Sequence, residues 1–467
     1  MYKKKISDYI DAHRDEMLED IAALCRIDST KQPYKEGMPY GAGCAQALNA
    51  ALGMAEKYGF SVSNYDGYVG CADLNGGPKQ LDILAHLDVV PAGDGWSVTD
   101  AFVPVIKDGK IYGRGTSDDK GPAVAALYAM RAVRELNIPV KKNVRLILGT
   151  DEECGSSDIA HYYDTEPEAP MTFSPDAEYP VVNVEKGRLA GHFTASYTPS
   201  RELPRLVSVH AGVKVNVVPG TAEAAVEGFD DDLIRGIAGK VTEQTGVAFE
   251  IQGFHNTLKI CAAGRGAHAS TPTEGNNALT ALLLLLSRLP FADSGEVRLI
   301  RSLEQLFPHG DTSGKALGVA MADEISGDLT LAFSLLTVEN GTLDGSFDSR
   351  CPICANEDNV LKAVKKRMKE QGFDLDNQGM KPPHYVSEDS GFVRTLLANY
   401  EKFTGLKGYC MAIGGGTYVH NLKNGVAFGP SLPGTDTKIH GADEFAVVEE
   451  LLLSAKIFAH VIADLCE

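Results

Sequence analysis

Three short stretches concentrate side chains that can hold metal ions or move protons. In Ala85-His86-Leu87-Asp88 an imidazole and a carboxylate two residues apart leave the carboxyl end of an expected strand on the same side. A metal-bound imidazole gives its second ring hydrogen to a carboxylate, so Asp88 is placed to orient His86; taken alone, the segment reads rather as a capped strand end with a surface histidine. The glycine-rich Gly113-Arg114-Gly115-Thr116-Ser117-Asp118-Asp119-Lys120-Gly121-Pro122 exposes carboxylates just before a helix. Free amides and the helix dipole favour an acid there without any metal, and Asp119 reads as such a cap. The loop has neither the Gly-Lys-Ser/Thr ending of a P-loop nor the dinucleotide fingerprint, which argues against phosphate cradling. In Gly149-Thr150-Asp151-Glu152-Glu153-Cys154-Gly155 three consecutive acids repel one another, an arrangement that a cation relieves and that also suits a division of labour, one carboxylate ligating and one carrying protons. A solvated acidic turn has the same composition.

Two further candidates complete the set. Asp176 follows the strand-like Met171-Thr172-Phe173-Ser174-Pro175, and His440 stands in Asp436-Thr437-Lys438-Ile439-His440-Gly441 before the final helix. His86, Asp118, Glu153, Asp176 and His440 all fall where strands end or helices begin. Ligands of open α/β sheets bind outside the carboxyl ends of the strands, which unites the five as one expected site; two histidines and three carboxylates suit a pair of divalent ions with one carboxylate bridging them.

The elements that must hold these residues follow from periodicity. Between Gln80 and His268 short apolar runs alternate with helical stretches, the pattern of an α/β fold with a mainly parallel central sheet flanked by helices. Leu81–Ala85 and Asn143–Gly149 read as buried strands, Pro122–Leu136 as a helix opened by proline, and Asp108-Gly109 as a hairpin turn. From about Arg188 the texture changes to an α+β region, with strands expected over Arg205–Val218 and Leu329–Val338 and helices over Asn277–Leu289 and Asn359–Gln371. After Lys381-Pro382-Pro383 come a helix over Ser390–Phe403, a strand over Gly425–Phe428 and a last helix after Ala442, read as a return to the first domain. The expected division is therefore 1–187 with 384–467 as a metal-binding catalytic domain and 188–383 as an inserted α+β domain.

Bulk properties narrow the function classes. The chain has 467 residues, 44% of them hydrophobic, and a formal net charge of -19, which opposes binding to nucleic acid or to an anionic membrane. The start, MYKKKISDYIDAHRDEML, reads as a surface helix and lacks the apolar segment of a secretory signal, and the apolar run Ala281–Leu286 is far short of the roughly 20 residues that span a bilayer. Nine scattered cysteines fit a reducing compartment, so the cytoplasm is expected; Cys351-Pro352-Ile353-Cys354 has redox or half-zinc-ribbon spacing but no second pair follows.

The motifs AHLDVVPAGDGW, GRGTSDDKGP, GTDEECGS, SPDAEYP and the late His440 resemble, in this order, those of the dinuclear zinc aminoacylase and carboxypeptidase superfamily of metallopeptidases, in particular peptidase V-type dipeptidases. The resemblance runs from about residue 10 to the C-terminus. It implies that His86 and Asp176 complete one metal site and Glu153 and His440 the other, that Asp118 bridges both, that Asp88 steadies His86, and that Glu152 is the general base acting on a metal-bridging water. Zinc is the implied ion, with manganese and cobalt compatible with the ligand types. AGRGAHASTP resembles the family's lid motif, so His268 is expected to reach the reaction centre from the inserted domain. That domain is nearly twice the length of a single family lid, as in peptidase V-type enzymes whose one chain supplies this histidine, and a monomer is implied. Asn216, Arg350, Gly415 and Thr417 resemble substrate contacts, although relatives often carry Tyr where Cys351 stands. The implied activity is hydrolysis of dipeptides or small peptides with a free N-terminus; N-acyl-amino-acid amidohydrolase and carboxypeptidase activities of the same superfamily, and a non-catalytic metal- or amino-acid-binding module, are the alternatives.

Overall fold

The computed structural model describes residues 2–376 and 379–467, with only the backbone described at Phe254. The chain forms two compact units, one made of Met1–Val184, Tyr385–Met411 and Gly416–Glu467, the other of Glu185–His384 with Ala412–Gly415.

The first unit is built on a mixed sheet whose order is Ser61–Tyr65, Val69–Asp73, Asn143–Gly149, Lys79–His86, Met171–Ser174, Gly425–Ala427 and Val181–Glu185. Its middle is parallel: Lys79–His86 runs alongside Asn143–Gly149 and Met171–Ser174, and Gly425–Ala427 continues in the same sense. The edges Ser61–Tyr65, Val69–Asp73 and Val181–Glu185 are antiparallel to their neighbours. Leu81 to His86 are all buried, as expected of a strand covered on both faces. Against the sheet lie Arg14–Cys25, Lys120–Glu135 and Val448–Leu465, whose apolar faces join the strands in one core. The alanine-rich helix Lys120–Glu135 is buried from Lys120 to Val133 and starts earlier than its proline suggests. Buried Lys120 explains the early start, since its ammonium donates to the carbonyls of Leu24 and Ile27 at 3.1 and 2.8 Å. The Asp108-Gly109 turn joins Val105–Lys107 to Lys110–Tyr112 with positive φ at both residues, as its sequence requires.

The second unit carries an antiparallel sheet ordered Ala248–Phe254, Thr257–Ala263, Thr221–Glu227, Arg205–Ala211, Thr330–Glu339, Thr342–Cys351, Gly187–Ser196 and Asp374–Leu375. Asp231–Thr245, Ala278–Arg288 and Gly295–Leu306 share its apolar core. The expected strand Arg205–Val218 is in fact broken: Arg205–Ala211 stays in the large sheet, while Val217–Val218 forms a separate ladder with Ala267–His268. Gly212 makes the break, with φ +80 and no room for a Cβ, which would stand 1.9 Å from the Ser334 carbonyl oxygen. The helix expected over Asn359–Gln371 is a π-turn, Glu357–Leu361, running into Lys362–Glu370, its start capped by Asn356. The last helix begins at Val448 rather than directly after Ala442, because Phe445–Val447 first pairs as a strand with Lys110–Tyr112. Among the described residues no helix is long and apolar enough to cross a membrane.

Candidate metal centre

The parallel middle of the sheet delivers its strand ends to one edge. His86 is the last residue of its strand and lies in register with Gly149, directly before the acidic segment; Asp176 follows Met171–Ser174. Asp118, in the loop before Lys120–Glu135, takes one histidine on each oxygen: His86 Nε2 is 2.9 Å from Oδ1 and His440 Nε2 is 3.0 Å from Oδ2. Glu153 Oε2 is 3.2 Å from His440 Nε2, and Asp176 Oδ2 is 3.8 Å from His86 Nε2. Ligand atoms of His86, Asp118 and Glu153 lie within 4.8 Å of one another, as do those of His86, Glu152 and Asp176. All seven residues expected around the ions, His86, Asp88, Asp118, Glu152, Glu153, Asp176 and His440, thus meet in the first unit.

Electrostatics separates the groups. Burial works to raise the Asp118 pKa, but hydrogen bonds from His440 and His86 outweigh it and hold the carboxyl below its ordinary range. The same bonds from Asp118 and Glu153 push His440 up to about 10. Burial pushes Asp176 up to about 7, reinforced by the neighbouring Asp118, and pushes Glu152 well above the usual carboxylate range. Among the described residues the ionic partners of Asp118, Glu153 and Asp176 are the two histidines. A cluster with this excess of carboxylate oxygens, mixed with imidazole nitrogen at ligand spacing, has the donor chemistry of a site for two divalent cations.

The supporting residues explain how the loops hold their shape. His86 Nδ1 lies 3.0 Å from the Asp88 carbonyl oxygen and 3.4 Å from its carboxylate. The Asp88 carboxylate mainly secures the acidic segment, accepting the backbone N–H of Glu152 and of Glu153 at 3.1 Å each. Asp119 stands at the start of its helix, but its side chain caps nothing there; Oδ2 accepts the backbone N–H of His86 at 3.1 Å. Sequence reading missed Glu444, whose Oε1 accepts the N–H groups of Gly115, Ser117 and Asp118 at 3.0, 3.0 and 3.2 Å while Oε2 pairs with buried Arg114 at 2.7 Å. Its nearness in sequence to His440 was the only available signal.

The remaining candidates lie elsewhere. Thr417 is in the first unit, where its side chain accepts from Val419 N–H. Asn216, His268, Arg350 and Gly415 belong to the second unit. There His268 pairs in register with Val217, and its Nδ1 is 2.6 Å from Ser270 Oγ; the Asn216 carbonyl accepts from Ala269 N–H at 2.9 Å. Arg350, next to last in the strand Thr342–Cys351, is held at 2.9 Å by Asp348 and donates to the carbonyl of Gly414, the neighbour of Gly415. Cys351 is buried and Cys354 exposed, both as free thiols.

The chain belongs to peptidase family M20/M25/M40, whose model matches residues 83–464, and is thereby a hydrolase of the metallopeptidase class. It is 36% identical over 459 residues to the putative dipeptidase YtjP of Bacillus subtilis (strain 168), covering 97% of this chain and 98% of that protein. It is 34% identical over 463 residues to the Beta-Ala-Xaa dipeptidase of Lactobacillus delbrueckii subsp. lactis, with 97% of each covered. The fold is shared with crystalline human carnosine dipeptidase 1, at TM-score 0.62 and 18% identity over 100% of this chain and 99% of that one. It is also shared with aminoacylhistidine dipeptidase from Vibrio alginolyticus, at TM-score 0.58 and 16% identity over 95% and 96%.

Proposed function

We propose that this protein is a dinuclear metal-dependent dipeptidase, with residues 1–187 and 384–467 as its catalytic domain and 188–383 as its lid. The observation that carries the reading is the pair of histidines on opposite oxygens of the buried Asp118 carboxylate, with Glu153, Asp176 and Glu152 in the same cluster. Two relatives with dipeptidase names, matched over nearly their whole length, support the substrate class. In this reading His86 and Asp176 would hold one ion and Glu153 and His440 the other, with Asp118 serving both. Bound ions, zinc by the ligand types, would supply Lewis acidity toward a peptide carbonyl and lower the pKa of water toward neutrality. Glu152 takes the proton from the attacking water and returns it to the leaving amine. Its burial favours a carboxyl that can hold that proton between the two steps. His268 donates to the developing oxyanion, Arg350 grips the substrate carboxylate, and Asn216, Gly415 and Thr417 line the substrate. The nine free cysteines support a reducing, cytoplasmic setting, and the length of the lid supports a monomer.

A panel of dipeptides beside N-acyl amino acids, assayed with and without chelator, tests the proposal. The expected outcome is chelator-sensitive cleavage of dipeptides with a free amino terminus. Cleavage confined to N-acyl amino acids would overturn the dipeptidase reading, and activity indifferent to chelator would overturn the metal.

A further inference from the structure

A buried hydrogen-bonded pair stands behind the acidic segment, made of two residues that the reaction itself does not use. Tyr418 is 3% exposed, and its hydroxyl donates to Asp158 Oδ2 at 2.5 Å. That oxygen also accepts the backbone N–H of Thr150 at 2.6 Å and of Asp151 at 3.0 Å, while Oδ1 accepts from Ile159 N–H at 2.7 Å. Asp158 is itself fully buried. One carboxylate oxygen therefore gathers a phenol and the two amides that lead straight into Glu152 and Glu153.

The approach of Tyr418 to the loop is close. A Cβ at Gly149 would stand 2.0 Å from the Tyr418 oxygen, so the glycine ending the strand is what lets the phenol reach the carboxylate. The Tyr418 ring also meets the His86 ring edge-on, with centroids 6.2 Å apart at 88°. One side chain thus abuts the loop that carries the base and the imidazole at the end of the neighbouring strand. From the far side of the loop, Asp88 accepts the amides of Glu152 and Glu153, and Asp151 is held by Lys31 at 2.6 Å and by Ser157. The Thr150 side chain donates to the Tyr68 carbonyl at 2.7 Å, and the Asp158 oxygen adds the bonds that fix the backbone amides of Thr150 and Asp151 themselves.

We propose that Tyr418 and Asp158 are positioning residues for the hydrolytic reaction, acting as a strut that sets the Glu152 carboxylate at its working distance. The inference rests on Glu152 as the base. Neither residue touches substrate in this account; each acts through the backbone of Thr150 and Asp151. A strut of this kind changes the rate of the chemical step and leaves substrate affinity nearly alone, because misplacing a reacting group by about 1 Å costs on the order of 100-fold in rate.

The test is steady-state kinetics on Tyr418→Phe, which removes the hydroxyl and keeps the ring, together with Asp158→Asn and the double variant, using whichever peptide or acylated substrate the wild type cleaves. Bound metal and the thermal midpoint are measured on each. We expect kcat to fall about 10- to 100-fold in either single variant, with KM within about threefold and metal content as in the wild type, and the double variant to be no slower than the worse single one. The inference is overturned if both singles keep kcat within about twofold, if kcat falls only in proportion to lost metal, or if the two losses multiply in the double variant. Should Asp158→Asn fail to fold, Tyr418→Phe alone decides. Glu152→Gln is the control: if it keeps full activity, the base assignment has failed, and a kcat loss in Tyr418→Phe is then attributed elsewhere.

Discussion

Asp118 is the residue on which the centre turns, because its two oxygens face two different imidazoles and, among the described residues, nothing else of opposite charge. Glu152 differs from it in kind. It stands with His86 and Asp176 at ligand spacing, yet burial, opposed by His86 and reinforced by Asp176, favours its protonated form. Glu152→Gln is expected to lower kcat by about 100-fold or more while retaining bound metal, because an amide of the same shape can neither accept nor return the proton. Turnover measured beside elemental analysis checks this, and full activity in the variant would remove Glu152 from the mechanism. Histidines and acids of this kind were legible in the sequence, since each stands in a motif at a strand end or before a helix. The tasks of Asp119 and Glu444 were not, because both act by accepting backbone N–H groups from loops whose paths only tertiary structure sets.

At the scale of elements, the parallel strands do the positioning, and they do so at some cost. The strand Lys79–His86 is buried from Leu81 onward, yet it carries Asp82, which is wholly inaccessible to solvent and has Lys79 Nζ at 3.3 Å. Burial raises its pKa from 3.8 to about 6, with Lys79 opposing. A carboxyl whose pKa is raised on folding binds its proton more tightly in the folded state. Its contribution is therefore most favourable below about pH 4 and is lost as pH rises through about 6, by roughly 3 kcal/mol at about 1.4 kcal/mol per unit. The thermal midpoint of Asp82→Asn, compared with wild type at each pH so that other titrations cancel, is expected to gain on the wild type as pH rises from about 4 to about 6 and then level off. A difference that grows as pH falls would contradict this. The middle of this sheet could be read from continuous apolar runs such as Asn143–Gly149, whose observed bounds agree with the expected ones. The break after Ala211 could not, because Arg205–Val218 is strand-like throughout and only the Ser334 carbonyl beside Gly212 reveals why the chain turns. The Tyr418 to Asp158 bond joins residues 260 positions apart, a separation that no local pattern encodes.

At the scale of the whole molecule, the net charge of -19 is partly the signature of the centre itself, which gathers acids without lysine or arginine partners among the described residues. The order of five weak motifs along 467 residues carried the family, and the matched model over residues 83–464 agrees with it. Substrate preference had no such signal: His268 and Arg350 are held by local contacts in the second unit that say how each is fixed and not which peptide it meets. Everything proposed for the site depends on Asp118, the residue that would hold both ions. Metal content per chain, measured on purified wild type and Asp118→Ala after equilibration with zinc and removal of the excess, tests that role most directly. Two equivalents are expected in the wild type and at most one in the variant, with peptide hydrolysis lost. Two equivalents in both proteins, or none in the wild type, would contradict it.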